Sequence, residues 1–145
     1  MREDSDRSAR GVALESRLGQ AYDEEAFLYF LAMERKRSER SGSPFLLVLV
    51  DLKEEPGASV RIAPAVSARI FSRLWLCLRE TDVVGWYREE RVAAALLTHL
   101  AGGPLPEVCD EVGQRVTAAL REGVPPKVAR RLQARVYQLG PRVKG

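Results

Sequence analysis

Several residue types that support common enzymatic chemistries are scarce in this 145-residue sequence. It contains one histidine, His99, and two cysteines, Cys77 and Cys109, which lie far apart in apolar segments. No Cys or His pair has the spacing of a zinc site, and no motif supports nucleophilic catalysis by a Ser–His or Cys–His arrangement. We therefore interpret the cysteines as small buried hydrophobic residues in a reducing compartment and expect no zinc.

Long hydrophobic runs are also absent. The longest apolar candidate, residues 45–50, has the length of a strand, whereas a membrane-spanning helix needs about 20 residues. Residues 1–10 are charged and lack the apolar segment of a secretory signal. The sequence therefore predicts a cytoplasmic protein without a membrane span.

Acidic residues are missing from the C-terminal region. From Gly123 onward the chain has no Asp or Glu, although the net charge of the whole chain is only +3. A basic terminus attracts anionic partners, but a solvated charged end is the commoner explanation. The predicted strands also lack the exposed aromatic pair on which an RNA-binding sheet stacks bases. Nucleic-acid binding is therefore disfavoured.

The length and composition predict one domain with its own core. We expect this domain at residues 20–140. A flexible or helical lead at residues 1–19 precedes it, and a short tail at residues 141–145 follows it.

The apolar pattern predicts three helices and four strands. Apolar residues three and four apart indicate helices at residues 23–40, 60–78 and 108–123, and Asp23 is a suitable N-cap for the first of them. Short apolar runs indicate strands at residues 45–50, 82–87, 92–97 and 132–139. Residues 52–59 are polar and are predicted to form a loop. This order predicts an α+β fold close to a ferredoxin-like βαββαβ arrangement, a mainly antiparallel sheet with helices on one face.

Two carboxylates are predicted to meet at one edge of this sheet. Asp51 ends the first strand, and Glu89-Glu90 precede the strand at residues 92–97, which we expect to be its neighbour. Carboxylate oxygens are the ligands that Mg²⁺ prefers. A magnesium site at Asp51 and Glu90 is one interpretation, and a solvated strand end beside a polar hairpin tip is the other.

Tyr22, Asp23, Phe27 and Leu31 form the first of several short motifs. The order and spacing of these motifs over residues 18–139 resemble the GGDEF (diguanylate cyclase) domain, which opens with an aromatic or apolar residue, an Asn or Asp, a Phe and a Leu. A basic helix and a Gly-x-Pro step follow, as in the family. Asp51 then follows the first strand at the position of the family's metal-binding aspartate.

A second group of motifs carries the resemblance further. Arg79-Glu80-Thr81-Asp82 resembles the Arg-x-x-Asp element that lies five residues before the family signature. In the family this element is an inhibitory site that recognises cyclic di-GMP. The resemblance therefore implies that Arg79 and Asp82 bind this ligand or are a relic of such a site. An arginine fork can bind a phosphate or the guanine acceptor edge, and a carboxylate can accept from guanine N–H groups.

The signature position itself departs from the family. It is occupied by Arg88-Glu89-Glu90-Arg91-Val92. Arg88 and Glu89 replace two glycines that let a guanine nucleotide approach the backbone, and Arg91 replaces an acid. Lys53 replaces a further Asp before the signature. Because phosphoryl transfer depends on positioning and on charge stabilisation by metals, these departures imply a protein without catalytic residues.

The expected function is therefore that of a degenerate, catalytically inactive GGDEF-like module of bacterial signalling. Such a module acts as a cyclic di-GMP receptor or as a protein-interaction scaffold. No cofactor is expected, although Asp51 and Glu90 could retain Mg²⁺ as a relic metal site. The expected partners are cyclic di-GMP and an unidentified protein, and a homodimer is also compatible with the sequence. The alternative is a nucleotide-processing enzyme with altered chemistry at Asp51 and Glu90.

Overall fold

The computed structural model describes residues 21–55, 58–78, 81–98 and 105–140. Within these ranges the chain forms four helices and five strands. The helices are α1 (Glu24–Ser41), α2 (Pro64–Cys77), α3 (Leu105–Gly123) and the single turn α4 (Pro126–Ala129). The strands are β1 (Phe45–Glu55), β2 (Ala58–Ser59), β3 (Thr81–Arg88), β4 (Val92–Leu97) and β5 (Leu132–Leu139). Apart from β2 and α4, each element was predicted from the sequence.

The strands form an antiparallel sheet in the order β5–β1–β4–β3. The two predicted central strands, β1 and β4, pair directly, with Val50 opposite Ala93. β5 lies along the other side of β1, and β3 forms a hairpin with β4. This βαββαβ topology confirms the predicted ferredoxin-like α+β fold.

β1 is longer than predicted. It continues through the polar residues as far as Glu55, and β2 pairs back onto its end. The predicted loop at residues 52–59 is therefore wrong at residues 52–55 and 58–59, and residues 56 and 57 lie outside the described residues. The reason is that β5 remains beside β1 in this region: Leu132 lies opposite Leu52, and the Lys53 amide donates to the Arg131 carbonyl at 3.0 Å. Neighbouring strands thus supply hydrogen-bond partners for the backbone of this polar segment.

One face of the sheet packs against α2 and α3. Alternate residues of β1, among them Val48 and Val50, point into this layer and are fully buried. The predicted apolar faces of the two helices meet them, and their fully buried residues are Ile70, Leu74, Val116 and Leu120. The prediction that α2 and α3 carry the main core is confirmed.

The opposite face of the sheet is covered by α1. Phe45 and Leu47, which alternate with the residues of the first layer, pack against Phe27 and Leu31 of α1. The expectation that the helices lie on one face is therefore wrong. The physical reason lies in the unbroken apolar runs of β1 and β4, because a strand that is apolar at every position needs cover on both faces.

The ends of α1 are defined by local interactions. The Asp23 carboxylate accepts a hydrogen bond from the Ala26 amide at 2.9 Å, which caps the N-terminus. At the other end, Gly42 has φ +80° and donates its N–H to the Ser38 carbonyl at 2.8 Å. A residue in this left-handed conformation ends a helix, and glycine adopts it without strain. The predicted boundaries of α1 are confirmed within one residue.

Tyr22, the residue before the N-cap of α1, is attached to β3. Tyr22 donates its amide to the Val84 carbonyl and accepts from the Trp86 amide, both at 3.0 Å. The bridge lies across Gly85. This attachment brings the N-terminus of α1 to the end of the sheet where β3 turns into β4.

Both cysteines are free thiols, and both are half-buried. Burial raises the pKa of Cys77 on α2, and the nearby Arg115 guanidinium opposes this effect only in part. Burial also raises the pKa of Cys109 on α3, with a smaller contribution from Asp110. Within the ranges described above, no helix combines the length and apolar character needed to cross a bilayer.

Candidate functional site

The segment at the predicted signature position forms the turn between β3 and β4. Arg88 is the last residue of β3 and Val92 is the first of β4. Glu90, at the tip, has φ +63°, a conformation that is uncommon for residues other than glycine. Its carbonyl accepts from the Ile62 amide at 2.7 Å, and the Arg91 amide donates to the Arg88 carbonyl at 2.9 Å. The turn is thus fixed to the segment that leads into α2.

Glu89 connects this turn to the N-terminus of α1. The Glu24 amide donates to Glu89 Oε1 at 2.9 Å, and the Glu89 amide donates to Glu24 Oε1 at 2.6 Å. The first amides of a helix lack partners within the helix, and its dipole favours negative charge there. The geometry is that of a capping box, but the two glutamates are 65 residues apart. We call this pair of hydrogen bonds the Glu24–Glu89 clasp.

Glu90 makes an ion pair with Arg61. The Arg61 Nε atom lies 2.7 Å from Glu90 Oε1. Arg61 lies before α2, so the pair joins the hairpin tip to the beginning of the α2 layer. Both side chains are substantially exposed, at 63% and 45%, and pairs of this kind contribute about 0–1 kcal/mol. The Glu90 carboxylate is therefore paired with an arginine side chain of the same protein.

Asp51 lies inside β1 and not at its end, contrary to the sequence-based expectation. Its side chain is 8% exposed, and Oδ2 lies 3.4 Å from Arg135 Nη2 on β5. The other oxygen, Oδ1, is buried and accepts no hydrogen bond from the residues that the structure describes. A buried carboxylate oxygen without a donor is energetically unfavourable. The contact with Arg135 places a positive charge beside Oδ2 and leaves Oδ1 without a donor among the described residues.

The two predicted metal-binding acids thus face different arginines. Asp51 meets Arg135, and Glu90 meets Arg61. Over residues 21–55, 58–78, 81–98 and 105–140, no three His, Cys, Asp or Glu side chains gather into a potential metal site. Mg²⁺ requires an ordered shell of oxygen ligands. The magnesium site at Asp51 and Glu90 stays a prediction.

The remaining residues of the signature position divide between surface and core. Arg88 is exposed, with its guanidinium carbon 5.9 Å from the centre of the Tyr87 ring. Arg91 is also exposed, whereas Val92 is buried. The segment therefore presents two arginines to solvent beside the paired glutamates.

The predicted ligand-binding pair lies largely outside the described residues. Arg79 is not among them. Asp82 belongs to β3, but only its backbone is described. A cyclic di-GMP site at Arg79 and Asp82 stays a prediction.

A groove that was not predicted from the sequence lies between α3 and β5. Its volume is about 560 Å³. Gln114, Thr117 and Arg121 line it from α3, and Ala134 and Val136 line it from β5. In the sequence, the small residues of α3, such as Gly113, could have indicated the groove, because short side chains that face a strand leave empty space above it. The groove runs beside β5, which pairs only with β1 among the described strands.

Comparison with known proteins gives matches in structure and not in sequence. No protein-family model matches the chain, and no curated protein matches it. A DGC protein from Thermotoga maritima superposes with a TM-score of 0.59 at 15% identity, over 84% of this chain and 82% of that one. The FimX GGDEF domain from Pseudomonas aeruginosa gives 0.64 at 15% identity, over 88% and 80%.

A third structure is the diguanylate cyclase SiaD from Pseudomonas aeruginosa, solved in complex with its activator SiaC. It gives a TM-score of 0.54 at 18% identity, over 99% of this chain and 58% of that one. At such low identities the similarity establishes the architecture alone. The chain has the fold of a GGDEF domain.

Proposed function

We propose that this chain is a catalytically inactive GGDEF-like signalling module that acts by binding. One observation carries the proposal: the acids at the signature position are used in contacts within the protein. Glu89 forms the clasp with Glu24, and Glu90 pairs with Arg61. In the family that the sequence resembles, glycines at the first two signature positions leave the backbone open to a nucleotide.

The clasp removes that access in two ways. The Glu89 amide already donates to Glu24, so it is not available to a phosphate or a base. The Glu89 side chain also occupies the N-terminus of α1, a position that would otherwise favour an anionic ligand. Both effects oppose nucleotide binding at this turn.

Catalysis would also require metal-assisted stabilisation of phosphoryl transfer. Asp51 and Glu90 each face an arginine, whose positive charge reduces their attraction for a cation. We therefore expect no diguanylate cyclase activity. Neither acid is assigned a catalytic role.

The test is incubation of the protein with GTP and Mg²⁺ or Mn²⁺, followed by chromatography of the nucleotides. We expect GTP to remain and no cyclic di-GMP to form. The matched variants are Asp51→Ala and Glu90→Ala. Any product that the parent makes and either variant loses would overturn the proposal, in favour of a nucleotide-processing enzyme with altered chemistry at these acids.

The first form of binding is recognition of cyclic di-GMP through Arg79 and Asp82, which rests on the resemblance of these residues to the family's inhibitory site. Loss of one charge-assisted contact removes about 1.5–3 kcal/mol, so Arg79→Ala should weaken binding roughly ten- to a hundredfold. Calorimetric titration at fixed salt measures this, with Arg37→Ala as a control at an exposed arginine. Equal affinities of the parent and Arg79→Ala would show that the ligand binds elsewhere.

The second form is a protein-interaction scaffold, and its best-supported surface is the groove with the adjoining edge of β5. The Lys53 amide bonds to the Arg131 carbonyl, and the antiparallel register places Ala134 and Val136 at positions whose backbone groups point away from β1. An extended peptide can pair with such an edge. The chain from Gly123 onward carries no acid, and the groove lining contains one arginine, Arg121, and one acid, Asp110. The basic residues of β5 and its flanks therefore favour an acidic peptide.

Ala134→Pro tests this surface. Proline removes an outward N–H and leaves the hydrogen bonds to β1 in place, so the domain should remain folded. A partner that the parent retains from a cell extract should be lost by this variant, and adding the partner to the parent should slow amide exchange along β5. Retention of the partner by Ala134→Pro, with no protection of β5, would exclude the groove edge as the docking surface.

A further inference from the structure

The groove between α3 and β5 has opposite charges at its two ends. Asp110 and Arg121 both line it, and both are exposed. Arg121 follows Asp110 by 11 residues, which is about 16 Å along a helix. Neither makes an ion pair with the parts of the chain that the structure describes. The α3 residues that line the groove between these ends carry no charge, so the groove is acidic at one end, uncharged in the middle and basic at the other.

The charged ends of the groove are level with the two ends of the β5 edge. β4 and β5 both pair antiparallel with β1, so they run in the same direction, and α3, which connects them, runs in the opposite one. A Cβ atom at Gly113 would lie 3.7 Å from Val136 Cγ2, which fixes the level at which α3 and β5 face each other. Arg121 lies about 12 Å further along α3, and Leu132 lies about 13 Å from Val136 in the same direction. Arg121 is therefore level with Leu132, and Asp110 lies beyond Val136 at the other end.

The backbone of β5 offers a row of outward-pointing groups along this groove. The Lys53 amide donates to the Arg131 carbonyl across the β1–β5 ladder. In an antiparallel ladder, bonded pairs alternate with pairs whose N–H and C=O groups point outward. A strand added at this edge would bond to the outward groups and would place the side chains opposite them in the groove, on the α3 side of the sheet. The outward groups belong to every second residue of β5, which are Leu132, Ala134, Val136 and Gln138.

We propose that the groove binds an antiparallel strand of a partner protein whose alternate side chains are basic, apolar, apolar and acidic, in this order from its N-terminal end. The inference rests on the scaffold form of the proposed function and specifies its partner. Antiparallel pairing is more stable than parallel pairing, so the strand begins opposite Gln138 and ends opposite Leu132. Its basic residue then lies beside Asp110, and its acidic residue lies beside Arg121. The two apolar residues lie between them, above the uncharged part of the groove.

The charges around β5 favour this direction of the strand. Lys127 and Arg130 are exposed and lie just before β5, at the end where the strand has its acidic residue. Their positive charge attracts an acid there and repels a base. A strand with the two charges exchanged would have like charges beside it at both ends, or would have to pair in parallel, which is the less stable arrangement.

The test uses two blocked peptides of identical composition, each as long as the segment from Leu132 to Gln138. The first peptide has lysine first, valine third and fifth, glutamate seventh and threonine between them, and the second exchanges the lysine and the glutamate. We expect the parent to bind the first peptide roughly three- to tenfold more tightly, because the exchange replaces two attractive exposed pairs by two repulsive ones. Peptide binding should slow amide exchange along β5 and thiol labelling of Cys109, which lines the groove. Labelling of Cys77 on α2 is the internal control and should not change.

Charge-exchanged variants of the protein test the direction of the strand. The double variant Asp110→Lys/Arg121→Glu should prefer the second peptide by a similar factor. The control Glu111→Lys/Arg115→Glu makes the same two charge changes at exposed residues that do not line the groove, and Arg115 lies near Cys77 of α2. It should keep the parent's preference. Ala134→Pro should lose both peptides, and high salt should reduce the preference, because exposed charge pairs are screened.

Equal affinity for the two peptides, or preference for the second, would overturn the inference, and protection of β5 in that case would still leave the groove edge as a docking surface. Binding of neither peptide at about 5 mM, which detects dissociation constants in the millimolar range, would also overturn it, whereas the docking surface itself is tested separately by Ala134→Pro with a complete partner. Protection of β5 on raising the protein concentration without peptide would assign the edge to a second copy and contradict the inference as well.

Discussion

Gly85 is the position where a single added carbon tests the packing most directly. It lies in β3, opposite Tyr22, which precedes the N-cap of α1. A Cβ atom there would lie 2.7 Å from the Tyr22 carbonyl oxygen, 3.0 Å from Tyr22 Cβ and 3.2 Å from Phe27 Cδ1. The nearest of these atoms belongs to the backbone, which cannot rotate away as a side chain can. Gly85→Ala must therefore displace Tyr22 from β3.

The cost follows from the contacts that this displacement breaks. Tyr22 makes two backbone hydrogen bonds to β3, with Val84 and Trp86, and each contributes about 1 kcal/mol. Forcing an extra carbon into a packed core costs about 1–3 kcal/mol. Because these effects overlap, we expect Gly85→Ala to lower the free energy of unfolding by about 2–4 kcal/mol. For a domain of this size, that corresponds to a fall in Tm of roughly 6–12 °C.

The matched control is Gly113→Ala in α3. A Cβ atom at Gly113 would lie 3.7 Å from Val136 Cγ2, an ordinary van der Waals distance. Alanine has a higher helix propensity than glycine, so this change should raise stability by up to about 1 kcal/mol. Urea unfolding followed by tryptophan fluorescence gives both free energies. Amide exchange at Trp86, whose N–H donates to Tyr22, reports the displacement itself and should accelerate only in Gly85→Ala.

Parent-like stability and parent-like exchange at Trp86 in Gly85→Ala would refute the attachment of Tyr22 to β3. A destabilisation of the same size in Gly113→Ala would show that any alanine substitution disturbs the domain, and the steric argument for Gly85 would fail. The two glycines should therefore respond with opposite signs.

Three further predictions concern the core, the clasp and a thiol. Ile70→Asp should unfold the domain as judged by circular dichroism, because an unpaired buried charge costs several kcal/mol; Leu76→Asp, at a side chain that is 77% exposed, should melt like the parent. Glu24→Ala and Glu89→Ala should each lower the free energy of unfolding, measured in urea, by about 0.5–2 kcal/mol. The double variant should lose less than the sum of the two single losses, because both residues belong to one clasp; additive losses would contradict it. Because burial raises the pKa of Cys77 above its ordinary 9.0, the rate of thiol labelling should still be rising at pH 9; a plateau reached below pH 8 would contradict the burial of this thiol.

The sequence was sufficient to predict the elements whose signals are local. The apolar spacing in α2 and α3 identified the residues that form the main core. Asp23 and Gly42 marked the ends of α1 because capping depends on backbone groups within a few residues. The unbroken apolar runs of residues 45–50 and 92–97 identified the two central strands, since only strands covered on both faces are apolar at every position.

The extension of β1 was not predictable in the same way. Residues 52–55 are mostly polar, and their local preference indicates a loop. Residues 52 and 53 are in a strand because β5 supplies partners from a distant part of the sequence, and β2, a few residues further along, pairs with residues 53 and 55. The position of α1 on the opposite face likewise depends on how the whole chain packs. Nonlocal pairing outweighed local preference in both cases.

The sequence alone placed Asp51, Glu89 and Glu90 at candidate positions, because each lies beside an apolar run that predicts a strand. Only the tertiary structure decided what each acid contacts: Arg135 for Asp51, the N-terminus of α1 for Glu89 and Arg61 for Glu90. These partners are up to 84 residues away along the chain. The choice of partner depends on which strands are neighbours and on which helix end meets the hairpin, and these are properties of the packed domain and not of any local segment.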